Sequence, residues 1–205
     1  MRELVGTLVG LAVLLVAGLG ILWATKGQID DGASRRNTVV HGSLPSQRSE
    51  SQRPLGVPAN AQALTVQGAR DGATFTARPA VTGSPIPTTA SVLVRLIGVT
   101  APAMTTVSRP VQCFAMDAYH ALQRLAPVGS QVWVIADVQV RDPDASYLLY
   151  VWNSAGTFVN LALADGGYVR PDVLKPNTAR QGAIQEAINA AMKARRGLWG
   201  RCGSK

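Results

Sequence analysis

Hydrophobic and polar positions divide the chain into three stretches with different rhythms. From Leu4 to Ala24 there is no charged residue and most positions are apolar. At ~1.5 Å of rise per residue a helix of that length spans about 31 Å, the thickness of a bilayer's hydrocarbon core. A cleaved signal peptide would carry a shorter apolar core, about 7–15 residues, closed by small residues. Leu22-Trp23-Ala24 is a poor cleavage site of that kind, so residues 1–25 read as a retained transmembrane anchor. Residues 26–60 are rich in Ser, Arg, Gly, Pro and Gln with little apolar periodicity, and read as a flexible or extended linker. Periodic structure begins near Ala61 and continues to the C terminus as one domain, 61–205.

Within that domain the period alternates between that of strands and that of helices. Strand-like runs lie at Leu64–Gln67, Thr74–Arg78, Ser91–Ile97, Gln131–Val140 and Tyr147–Trp152. Turn signals such as Asp71-Gly72, Gly83-Ser84-Pro85 and Asp142-Pro143-Asp144 separate them. Cys113–Leu125 has helical spacing through Phe114, Met116, Ala118, Tyr119, Leu122 and Leu125. Thr157–Asp165 is a short helix closed by Gly166-Gly167. Thr178–Arg196 is the clearest helix, with Ile184, Ile188, Met192, Ala187 and Ala191 on one face and Gly197 as its stop. Three strands, a helix, two strands and two helices predict an α+β fold, mainly β: a five-stranded OB-fold barrel with three packed helices.

The anchor adds two details. Gly6 and Gly10 form a small-xxx-small pair, a spacing that lets helix backbones approach closely in lipid; ordinary glycine content of a membrane helix is the other reading. Arg2 precedes the span while Lys26, Arg35 and Arg36 follow it, which taken alone keeps the C-terminal domain in the cytoplasm. The two cysteines, Cys113 and Cys202, point the other way. A pair flanking the best-structured region suits a disulfide in an oxidising compartment, with two separate buried thiols as the alternative. The expectation is a single-pass protein with its domain on the extracytoplasmic, periplasmic side.

A net charge of +8 admits nucleic acid, anionic lipid or an acidic protein face as partners. No Arg/Lys block with interleaved aromatic residues selects nucleic acid among them. His41 in the linker and His120 in the first helix have no cysteine or carboxylate at a metal-ligand spacing, so no zinc site and no cofactor is expected. Cys113 lacks an identifiable base and reads as structural rather than nucleophilic.

Five segments, taken in order, resemble the staphylococcal nuclease (thermonuclease) family over roughly Leu64 to Cys202. They are Asp71-Gly72-Ala73-Thr74, Arg95 to Pro102, Leu148-Leu149-Tyr150-Val151-Trp152, Phe158-Val159-Asn160-Leu161-Ala162-Leu163 with Gly166-Gly167-Tyr168-Val169, and Gln185-Glu186-Ala187 with Arg196-Gly197-Leu198-Trp199. The resemblance implies calcium-assisted phosphodiester hydrolysis, in which carboxylates hold a hard cation and serve the attacking water while guanidinium groups hold the phosphate. Against that pattern Ala73 and Thr100 stand where the family has its metal-binding aspartates. Ala103 stands for the glutamate that serves the water, and Ser146 for the second arginine. Arg95 alone is kept, as a remnant anion site or as a structural arginine bonded to barrel-end carbonyls or an acid. In the same frame Cys113 and Cys202 meet on one side of the barrel. No rebuilt metal site is legible in Arg141, Asp142, Asp144 and Asp71.

The expected function is therefore non-catalytic. The chain would be an accessory or scaffolding subunit of a membrane protein complex, anchored in the bilayer by residues 4–24 among other transmembrane subunits. The rivals are a membrane-tethered module binding nucleic acid or another polyanion, and a calcium-dependent nuclease with a relocated site.

Overall fold

The computed structural model describes residues 53–104 and 110–203. The apolar run of residues 4–24, with Gly6 and Gly10, lies outside the described residues. Among the described residues no helix is long and apolar enough to cross a membrane.

Five strands close into a barrel in the order β1-β2-β3-β6-β5: β1 (Gln62–Ala69), β2 (Thr74–Pro79), β3 (Val92–Leu96), β5 (Gln131–Ile135) and β6 (Tyr147–Trp152). Alternation builds the first three. Leu64 and Val66 of β1, Phe75 and Ala77 of β2, and Val94 and Leu96 of β3 point into the core, and the residues between them point out. All six residues of β6 are buried, as expected of a strand covered on both faces. It closes the barrel by pairing parallel to β3, with Arg95 opposite Leu148, and antiparallel to β5. The barrel and the packed helices foreseen in the sequence are thus present.

The third strand run departs from its expected course. The barrel strand stops at Leu96, and Gly98 adopts a φ of 85°, a region L-residues with a side chain rarely enter. The chain then runs as β4 (Gly98–Thr100), which leaves the barrel and pairs antiparallel with β7 (Arg170–Asp172). A Cβ at Gly98 would meet Ile184 Cδ1 at 2.8 Å, the end of a side chain that can turn aside, so it is the backbone conformation that requires glycine. The kink breaks the alternation that placed Ile97 on the face of Leu93 and Arg95: Ile97 is fully buried. The fourth run is also shorter than its hydrophobicity predicts. It ends at Ile135, and the following loop is held by Asn177, whose Oδ1 accepts from the Gln139 N–H at 2.7 Å and whose Nδ2 donates to Gln139 O at 2.8 Å.

Among the described residues four helices pack on this frame: α1 (Ala115–Leu125), α2 (Val159–Asp165), α3 (Gln181–Lys193) and the single-turn α4 (Leu198–Arg201). α1 buries Ala115, Ala118, Ala121 and Leu122, while Met116, expected inside, is 45% exposed. α3 buries Ile184, Ile188 and Ala191, and Met192 is 47% exposed. At about 100° per residue Met192 lies roughly 80° around the helix from Ile184, whereas Ala191 lies about 20° away. Small residues on α1 permit close approach: a Cβ on Gly72 would lie 2.4 Å from Ala118 Cβ. A disulfide between Cys113 and Cys202, with Cα atoms 5.9 Å apart, joins the start of α1 to the end of α4, as the two-cysteine pattern suggested.

Candidate functional site

Three segments meet at one end of the barrel. The β1–β2 turn supplies Arg70, Asp71, Ala73 and Thr74; β3 and β4 supply Arg95 and Thr100; the loop before β6 supplies Asp142, Asp144 and Ser146. Together they line an open cleft of about 360 Å³. Four of the residues singled out in the sequence, Ala73, Arg95, Thr100 and Ser146, are therefore brought together. Ala103 is not on the cleft lining. Its N–H donates to Gln112 Oε1 and its carbonyl accepts from the Gln112 N–H, both at 2.9 Å.

Arg95 projects outward from β3 into this cleft because Val94 and Leu96 on either side take the core. Its guanidinium is engaged twice. Nη2 donates to Asp172 Oδ2 at 2.9 Å, and Nη1 approaches Asp142 Oδ2 at 3.4 Å. The Asp142 side chain is 7% exposed, that of Asp172 25% and that of Arg95 34%. The arginine is thus flanked by two carboxylates, which oppose an incoming anion. Of the two sequence readings, the geometry matches the arginine bonded to acids. Sequence reasoning missed Asp172. It reaches Arg95 only because the three-residue β7 pairs with β4, a partnership too short to leave a periodic signal.

Two of the cleft carboxylates accept from backbone N–H groups. Asp71 Oδ1 accepts from the Ala73 N–H at 2.7 Å, closing the β1–β2 turn. Asp142 Oδ1 accepts from the Ser146 N–H at 2.8 Å. Asp144 is exposed. A calcium site needs several oxygens converging at about 2.3–2.6 Å. With Asp71 on its own turn and Asp142 between Ser146 and Arg95, the donor set does not fit such an ion. Among the described residues no group of three His, Cys, Asp or Glu side chains is placed to hold a metal.

Behind the cleft, Asn160 of α2 is fully buried and joins three segments. Its Oδ1 accepts from the Val151 N–H at 3.0 Å; its Nδ2 donates to Ile97 O at 2.9 Å and Leu149 O at 3.3 Å. These bonds fix the point where the chain bends from β3 into β4. His120 lies on the exposed side of α1 with Nδ1 3.1 Å from Gln123 Oε1, away from the cleft.

The family model for the Staphylococcal nuclease homologue matches residues 93–201. A thermonuclease of Staphylococcus hyicus is 30% identical over 105 residues, covering 51% of this chain and 61% of that protein. The chain therefore spans about three fifths of that relative's length. The matched region runs from within β3 through α4 and holds the parallel β3–β6 closure, Arg95 with Asp142 and Asp172, and the buried Asn160: the chain belongs to the staphylococcal nuclease homologue family.

Proposed function

We propose that the barrel is a catalytically silent member of its family and works as an interaction module. In this reading the chain is an accessory or scaffolding subunit of a membrane protein complex, held to the bilayer by residues 4–24 with the barrel on the extracytoplasmic face. One observation carries the reading: Arg95, the group the family keeps for phosphate, is held between Asp142 and Asp172. The cleft around it presents Ala73, Thr100 and Ser146 where catalysis needs two acids and a second guanidinium. Removing a single donor to a developing charge typically costs about 2.7–4 kcal/mol of barrier lowering, so several together leave no appreciable turnover. The disulfide supports an oxidising compartment.

The full-length chain in mild detergent is expected to leave DNA and RNA intact with calcium present. Calcium-dependent cleavage that disappears in Arg95→Ala overturns the silent reading. Purification from native membranes separates the second half of the proposal: a stable, stoichiometric complex supports the accessory role, and recovery of the chain alone overturns it.

A further inference from the structure

A second pocket, of about 390 Å³, lies where the disulfide draws α4 against α1. Its α1 side carries Phe114, Asp117, His120 and Arg124, spaced so that they share one stripe of the helix and its entry. Its far side carries Tyr168 and Arg201. Arg124 and Arg201 are both exposed, and among the described residues neither guanidinium has a hydrogen-bond or ion-pair partner. Among the described residues Asp117 is the single acid on the lining. The contrast with the cleft is direct: there the guanidinium is flanked by two carboxylates, and here two guanidinium groups from separate elements stand open.

Two further features give the pocket shape. Phe114 holds a left-handed backbone, φ 69° and ψ 7°, which for a bulky residue is disfavoured and persists only where its surroundings impose it. That conformation stacks its ring on Tyr168, with centroids 5.7 Å apart and planes at 26°, forming an aromatic wall beside the arginines. His120 Nδ1 lies 3.1 Å from Gln123 Oε1, which fixes the orientation of the ring on the pocket wall.

We propose that this pocket binds a phosphate monoester. Arg124 and Arg201 hold the phosphate oxygens, for which the planar, multi-donor guanidinium is suited, and the organic part of the ester rests against Phe114 and Tyr168. The pocket shares no lining residue with the Arg95 cleft.

Calorimetric titration of the full-length chain in detergent with inorganic phosphate and with phenyl phosphate tests it. Phenyl phosphate should bind more tightly than inorganic phosphate. Arg124→Gln combined with Arg201→Gln should weaken it at least tenfold, and Arg95→Gln should leave it unchanged. Both substituted arginines are exposed, so folding is preserved, with thermal melts as the check. No binding by the unsubstituted chain, equal affinity for the two probes, equal binding by the double variant, or a loss in Arg95→Gln each overturns the assignment. Vesicles of phosphatidic acid then separate a lipid headgroup from a soluble ester: recruitment that phenyl phosphate competes away assigns the lipid source. Binding of phenyl phosphate without vesicle recruitment assigns the soluble one. Both uphold the site.

Discussion

The Tyr150 hydroxyl sits at a junction of β6 with two loops. It donates to Asp137 Oδ2 at 3.0 Å and accepts from the Arg180 N–H at 3.2 Å. The Arg180 guanidinium lies over the rings of Tyr150, Trp152 and Phe158. Burial, then the bond to Asp137, push the phenol up to about 12, against the opposing pull of Arg180. In the unfolded chain the same group titrates near 10. The folded-state value is the higher one, so the contribution is fully present below about 10 and is lost as pH rises toward 12. Denaturant titrations should show stability falling across that window, and Tyr150→Phe should make the fall shallower; an equally steep fall in the variant would assign it to another group. Single residues of this kind were only partly legible in the sequence. Asn160 was visible inside a family motif, but no motif or spacing marked Arg180. Its role depends on three aromatic residues from β6 and the approach to α2.

Elements were legible where their periodicity was long and their burial one-sided. β1, β2 and β6 and the helices α1 to α3 fell within a few residues of their expected bounds. β4, β7 and α4 were not foreseen, being three or four residues long and defined by the partner each meets rather than by a pattern of their own. The cleft shared this fate: the residues on the β1–β2 turn, β3 and the loop before β6 could be placed in advance, while Asp172 came with β7. Contacts between elements set the sharpest limit on substitution. The β1–β2 turn presses on α1 at Gly72, where an added Cβ would also lie 2.9 Å from the Ala118 carbonyl carbon. Gly72→Ala is expected to destabilise the fold by roughly 2 kcal/mol, the cost of overpacking a filled site, read as a lowered denaturation midpoint. An unchanged midpoint would mean that α1 can shift to make room.

At the scale of the whole molecule the strongest long-range constraint is covalent. Cys113 and Cys202 are separated by 89 positions, and chain-entropy models give a loop of that order a stabilisation on the order of 4 kcal/mol. The paired substitution Cys113→Ser with Cys202→Ser should lower the unfolding free energy by about that amount or somewhat less; a change below about 1 kcal/mol would show that packing alone holds α4 in place. The bridge also divides the domain unequally. From Cys113 to Cys202 the chain is a closed ring holding β5, β6, β7 and all four helices, whereas β1 to β4 precede it as an open tail. A protease that cuts once within the ring leaves one covalent molecule until the bridge is reduced. A cut just before Cys113 yields two pieces at once, joined non-covalently by the ladders of β1 with β5, β3 with β6 and β4 with β7, by the Arg95 ion pairs and the Asn160 bond, and by the side chains packed between them.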